Sequence, residues 1–259
     1  MAVLLLSAAI TVTAQTEKSA DAVDKSSAKD EQSKPPLNFI KVNLTGIFLK
    51  NYSFQYERAV SRKISLAIAF RTMPGTGIPF KKQILDAVGT NDPDTKNTIE
   101  RLKISNFALT PELRFYLSKK GYGRGFYIAP FYRYASFTTN DMVFTYQNSL
   151  NVSSTINLSG KLTSNTGGIL LGIQKALGEH ICLDLWIIGA HYGSGNGNFT
   201  GVTSQPLTTA EQDDLRTQLN DLDIPLTTKT VSVTANGASL KLDGPWAGIR
   251  SGILIGIRF

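Results

Sequence analysis

Cysteine and histidine are nearly missing from this chain. A single cysteine, Cys182, in 259 residues excludes an internal disulfide framework and any multi-cysteine zinc site. Two histidines, His180 and His191, leave no basis for His-rich metal chemistry. Charge is also scarce: Asp, Glu, Lys and Arg make up 18% of the residues, low for a soluble domain. No apolar run reaches the ~20 residues a membrane helix needs. With a mean hydropathy of −0.06 the chain is no bundle of membrane helices. The run Gly193-Ser194-Gly195-Asn196-Gly197 opens no helix and so is no dinucleotide loop. Asp92-Pro93-Asp94 lacks the rest of a calcium loop. No cofactor and no metal is implied.

The N-terminal stretch is apolar and short. Residues 2–14 (AVLLLSAAITVTA) carry no charge, and Val12 and Ala14 stand at the −3 and −1 positions before Gln15. The pattern predicts a secretory signal peptide over 1–14, although no Lys or Arg follows Met1. No cysteine follows the cleavage site, which excludes a lipoprotein anchor. Residues 15–37 are polar and free of aromatics, with Lys34-Pro35-Pro36 near the end. Such a segment cannot bury enough apolar area to offset ordering entropy, so a disordered periplasmic linker is expected. Its four Lys and five acids give −1, which leaves +8 of the total +7 on residues 38–259.

From Asn38 onward the period is two. Ile40 and Val42 alternate with Lys41 and Asn43, in a run continuing to Phe48. Tyr52, Phe54 and Tyr56 alternate with Ser53, Gln55 and Glu57. The same pattern recurs at Ile64–Phe70, Phe107–Leu117, Phe126–Tyr134, Ile169–Ile173, Ile181–Ile187 and Ile249–Phe259. Period two means strand, and eight such segments predict an all-β protein. One face is continuously aliphatic and aromatic. The other is rich in Gly, Ala, Ser and Thr, with sparse charges of both signs. A soluble barrel would put charge on its exposed face. Apolar-out, polar-in alternation is the signature of a transmembrane barrel, whose closed sheet satisfies every backbone group without water.

The joins sort by length. Ser61-Arg62, 118–124 and 177–179 are short, as is the turn at Lys50-Asn51; long loops are expected at about 74–103, 138–160 and 193–240. Short inner turns and long outer loops complete the expectation of an eight-stranded antiparallel up-and-down transmembrane β-barrel over 38–259, with periplasmic termini. The inner turns are basic (Arg62, Lys63, Lys119, Lys120, Arg124), which suits anionic headgroups rather than nucleic acid. Helical pieces are expected at 79–88 and after Thr208 or Thr209, where Glu211 or Gln212 completes a capping box ahead of Leu215 and Leu219.

The inward parity collects Lys41, Glu57, Arg71, Glu112, Arg114, Arg133, Asp184, Arg250 and Arg258. A charge in a narrow lumen must be paired or hydrated. A salt-bridge plug is expected, with Glu57, Glu112 and Asp184 shared among Arg114, Arg133 and Arg250; a small ion path or ligand cup is the alternative. The parity of Ile187 and Gly189 puts His191 on the lipid side, where a lipid A deacylase would need it, with Ser194 nearby. Cys182 reads as an inert packing residue. A soluble, lipocalin-like barrel with a small apolar ligand would require the aliphatic face inward and Glu57, Arg71, Glu112 and Arg133 in water.

Several stretches resemble a family of small outer-membrane barrel proteins known only as a domain of unknown function. They are Tyr56-Glu57-Arg58-Ala59-Val60, Thr110-Pro111-Glu112-Leu113-Arg114-Phe115-Tyr116-Leu117, Gly125-Phe126-Tyr127-Ile128-Ala129-Pro130, 168–174 and 183–193. The resemblance implies a barrel of OmpA/OmpX size with no known activity and no catalytic residues. The C-terminus is similar to the assembly signal of such barrels, with Ile253, Ile255 and Ile257 at alternate positions before Phe259. The implied partners are outer-membrane lipids and lipopolysaccharide, the barrel-assembly machinery, and a further envelope protein at the outer loops.

Overall fold

The computed structural model of the chain describes residues 35–77, 82, 102–147, 153–222, 224 and 226–259. The expected signal peptide, the linker up to Lys34 and, apart from Lys82, the helical piece at 79–88 lie outside them. The alternating segments become strands: β1 (Asn38–Asn43), β2 (Tyr52–Ala59), β3 (Ile64–Gly77), β4 (Lys103–Tyr116), β5 (Gly125–Gln147), β6 (Ser153–Leu177), β7 (Ile181–Val202) and β9 (Gly237–Arg258). A further strand, β8 (Thr228–Thr234), has only Val231 and Val233 as apolar residues, too few to show a period. Two helices complete the described elements, α1 (Leu44–Phe48) and α2 (Thr209–Asn220). Neither is long enough to cross a membrane.

The strands form one antiparallel sheet in the order β1-β2-β3-β4-β5-β6-β7-β9-β8, and β1 also pairs with β9. The sheet thus returns on itself in a barrel-like ring, with β8 as an outer partner of β9. The ring is uneven: β1 and β2 have 6 and 8 residues, whereas β5, β6, β7 and β9 have 22 to 25.

The first strand is shorter than its alternation suggests. At Asn43 the side chain accepts the Gly46 N–H at 3.2 Å and caps α1, so the chain leaves the sheet instead of continuing to Phe48. In consequence β1 pairs with β9 only from Phe39↔Arg258 to Asn43↔Leu254. Higher up, β9 meets β8 from Asp243 onward. Between these, residues 244–253 of β9 have no strand partner on that side among the described residues. There α1 lies against the edge, and Thr45 Oγ1 accepts the Ile253 N–H at 2.9 Å.

The regions expected as long loops at 138–160 and 193–240 are largely strand. Their outward positions are mostly Thr, Ser and Asn, such as Thr155, Asn157, Asn196, Asn198 and Thr200, so the sheet continues where the apolar signal stops. The capping box is present: Thr208 accepts the Glu211 N–H, and the Glu211 carboxylate accepts the Thr208 N–H at 2.7 Å. Leu215 and Leu219 of α2 are fully buried with Ile156, Leu158, Phe199, Val233 and Leu240. The tall side of the ring therefore carries its own apolar core under α2, in place of mobile loops.

Around the rest of the ring the small and charged residues face in and the apolar ones face out. One irregularity matters. Leu171 pairs with Ile188 but Gly172 pairs with Trp186, so Ile187 is a spare residue and parity flips there.

Replacing Leu215 by Ala should cost the α2 core about 2–5 kcal/mol. Hydrogen exchange should then speed up across α2 and β8 while β2 and β3 stay protected.

Candidate functional site

Toward the short-turn end of the ring the lumen is filled by an ion-pair knot. Lys41 Nζ reaches Glu57 Oε2, Asp184 Oδ2 at 2.8 Å and Gln174 Oε1 at 2.5 Å. Arg114 Nη1 donates to Glu57 Oε2 at 3.0 Å and to Asp184 Oδ2 at 2.7 Å. Its Nη2 donates to Glu112 Oε2 at 2.8 Å and to Gln55 Oε1 at 2.9 Å. Arg250 Nη2 closes the chain on Glu112 Oε1 at 2.8 Å. Neutral donors saturate the remaining lone pairs: Tyr116 Oη and Ser65 Oγ on Glu57 Oε1 at 2.6 and 2.5 Å, and Tyr127 Oη on Asp184 Oδ1 at 2.8 Å. The contributors come from β1, β2, β3, β4, β5, β6, β7 and β9, one to three inward positions each.

Three cations (Lys41, Arg114, Arg250) meet three carboxylates (Glu57, Glu112, Asp184), so the knot is neutral. Lys41, Glu57, Arg114 and Asp184 are wholly shielded from solvent. Such a cluster is tolerable only because every member is hydrogen-bonded. The Arg114 guanidinium also lies 4.5 Å from the Tyr127 ring centroid. Tyr127 fits because position 172 is glycine: a Cβ there would collide with the phenol.

Three of the predicted charges stand apart from this knot. Among the described residues Arg133 shares no carboxylate, contrary to expectation; its Nη1 donates to Thr110 Oγ1 at 3.0 Å. Arg71 donates through Nε to Asn106 Oδ1 at 3.0 Å. Lys41, in turn, takes the carboxylate contacts expected of Arg133, because β1 sets it opposite Gln55 and, across Gly256 of β9, in line with Cys182, two residues from Glu57 and from Asp184. Arg71, Arg133 and Arg250 line a cavity of about 310 Å³ together with Ser53, Trp186 and Ile249. Arg258 is only partly buried near the inner end and donates to the Glu179 carbonyl at 2.8 Å.

His191 is not on the outer face. The spare residue at Ile187 shifts the parity, and the imidazole lies inside, edge-on to Phe131 at 6.0 Å. The adjacent wall has glycine at 248, where a Cβ would sit 2.7 Å from His191 Nε2. Strict period-two counting cannot see a bulge. Cys182 is buried in a small cluster with Phe39 and Ala59. Ile253, Ile255, Ile257 and Phe259 are exposed on the outside. Phe259 is tied to the first strand, its carbonyl accepting the Asn38 N–H at 2.9 Å and its N–H donating to the Asn38 carbonyl at 3.0 Å. The neutral members Gln55, Tyr116, Tyr127 and Gln174 escaped the charge-based reading. Their inward parity is the signal that could have found them. Among the described residues no group of three His, Cys, Asp or Glu is placed to hold a metal.

Arg114→Met strands buried carboxylates and should cost about 3–5 kcal/mol in urea unfolding. Arg133→Gln removes a buried cation with no carboxylate partner and should not lower stability. Equal losses for the two would contradict this division of the lumen. No family model, no curated protein and no solved structure matches the chain.

Proposed function

We propose that the chain is a non-enzymatic outer-membrane β-barrel of eight staves, β1 to β7 and β9. Its lumen is closed by the ion-pair knot, and its outer cap offers a binding surface. The observation that carries this reading is the outward apolar belt. Ile40, Phe54, Leu66, Ile68, Leu109, Leu113, Ile169, Leu185, Ile253 and Ile255 are all exposed although aliphatic or aromatic. Water would not tolerate so continuous a patch on a monomer. On β7 the belt runs from Ile181 to Tyr192 and then gives way to Ser194, Asn196 and Asn198. At ~3.3 Å per residue and the usual tilt, that stretch rises roughly 25–30 Å, the height of a hydrocarbon core.

The same architecture is what the resemblance to small outer-membrane barrels implies. The inner turns, with Arg62, Lys63, Lys119, Lys120 and Arg124, would meet anionic headgroups. The outer cap over α2 would meet lipopolysaccharide or an envelope protein. The outward run ending at Phe259 would be read by the barrel-assembly machinery. A closed knot makes the barrel a poor pore. A lipid A deacylase would need His191 on the lipid side, and it lies inside against Phe131. A lipocalin-like carrier would need the apolar face inward, whereas Glu57 and Glu112 occupy the interior.

The full chain should fractionate with the outer membrane, migrate differently before and after boiling, and give no steady conductance in planar bilayers. Ile68→Arg distinguishes lipid from water at the belt. In a membrane it should cost about 2–4 kcal/mol of barrel stability. On a water-facing surface it would change stability by no more than about 0.5 kcal/mol.

A further inference from the structure

Above the neutral knot the lumen changes character. The cavity of about 310 Å³ is lined by Arg71, Arg133 and Arg250, and among the described residues no carboxylate lines it. Among the described residues, neither Arg71 nor Arg133 is ion-paired; Arg250 has only Glu112, which Arg114 already engages. We infer that this cavity is a binding site for a small oxyanion, the phosphate or carboxylate group of a ligand, held by Arg71, Arg133 and Arg250.

Donor capacity supports this. Among the described residues Arg71 uses only Nε in hydrogen bonding and Arg133 only Nη1, which leaves the terminal nitrogens of Arg71 and the Nη2 of Arg133 without an acceptor there. Arg250 Nη1 and Trp186 Nε1 are buried and also have no acceptor among the described residues. Guanidinium forks match a planar or tetrahedral oxyanion in two-point contact. The three are held before any ligand arrives: Arg71 by Asn106, Arg133 by Thr110, and Arg250 between the Phe131 and Trp186 rings at 4.6 Å from each centroid. Preorganisation of this kind lowers the entropy lost on binding. Cations gathered out of water without carboxylates are costly, so the fold retains an expense that an anion would offset.

The position of the cavity bears on where the ligand comes from. Leu49 beside α1 and Ile249 of β9 belong to its lining, at the seam where β9 lacks a strand partner. Ile249 is 73% exposed. An oxyanion head could therefore belong to a free solute from the outer mouth, or to an amphiphile whose chain leaves through the seam. The recognised chemistry is the same.

The inference rests on the barrel reading above, and heat-modifiable migration tests that reading separately on each sample. The experiment uses the full chain folded in zwitterionic detergent, with Trp246→Phe so that Trp186 alone reports. Inorganic phosphate, added at constant ionic strength, should change Trp186 emission saturably. Arg71→Gln with Arg133→Gln should weaken the phosphate affinity by about tenfold or more. Arg216→Gln on α2 should leave it unchanged. In a second arm, monododecyl phosphate in the same micelles replaces inorganic phosphate. Much tighter binding that still needs Arg71 and Arg133 assigns the site to an amphiphile's head; equal binding assigns it to a free anion. If neither anion gives a saturable change while the protein keeps its heat-modifiable form, the inference is overturned. It is likewise overturned if the affinities are the same after Arg71 and Arg133 are replaced.

Discussion

A carboxylate that cannot reach water must find a cation, and in this protein three of them find theirs across the middle of a ring. Glu57, Glu112 and Asp184 lie on β2, β4 and β7 and are shared by Lys41 of β1, Arg114 of β4 and Arg250 of β9. Arg114 touches all three carboxylates, so its fork fixes where β2, β4 and β7 stand relative to one another. Much else in the interior follows from this knot. Tyr116 and Tyr127 are placed to donate into it, Gly172 clears space for Tyr127, and the apolar side chains are left to the outside. A wrong register on any one strand would turn a buried charge outward and strand its partner. The knot therefore acts on specificity of closure more than on net stability, since buried ion pairs rarely exceed their desolvation cost by much.

Period two carried most of the fold in the amino-acid order. Where apolar and small residues alternate strictly, as in Phe107–Leu117 or Ile253–Phe259, the strand and its two faces are legible directly. The eight segments so read correspond to β1 to β7 and β9. Three physical effects hid the rest. The outward positions in the upper halves of β6 and β7 are mostly polar, so the apolar-out signal stops there and their sheet is set by neighbours rather than by pattern. Asn43 caps a helical turn whose local hydrogen bond outcompetes the continuation of β1. The spare residue at Ile187 carries no composition signal, yet it moves His191 from one side of the wall to the other. The list of inward charges was readable from parity, but their partners were not. Which arginine meets which carboxylate depends on strand stagger, and this is why Lys41 rather than Arg133 joins Glu57 and Asp184.

The ring is unequal for the same reasons. Early exit of the chain at Asn43 leaves β9 without a neighbour over 244–253, and α1 covers only part of that edge. The long strands rise beyond the apolar belt and hold a core of their own under α2. Between the knot below and the cap above lies the arginine-lined cavity, next to the seam. A neutral closure with a cationic chamber above it separates two tasks that a single lumen would otherwise mix: holding the barrel shut and receiving a ligand.

The central claim is that the aliphatic face meets lipid while the charged face is sealed inside. Nitroxides placed singly along β4 of the protein in liposomes, with Cys182 replaced by Ala, test it residue by residue. At Phe107, Leu109, Leu113 and Phe115, collisions with oxygen should be frequent and collisions with a water-soluble nickel chelate rare. At Ala108, Thr110 and Glu112 both should be rare. Free access of the nickel chelate to Leu109 and Leu113 would mean that the belt faces water, and the account would be wrong.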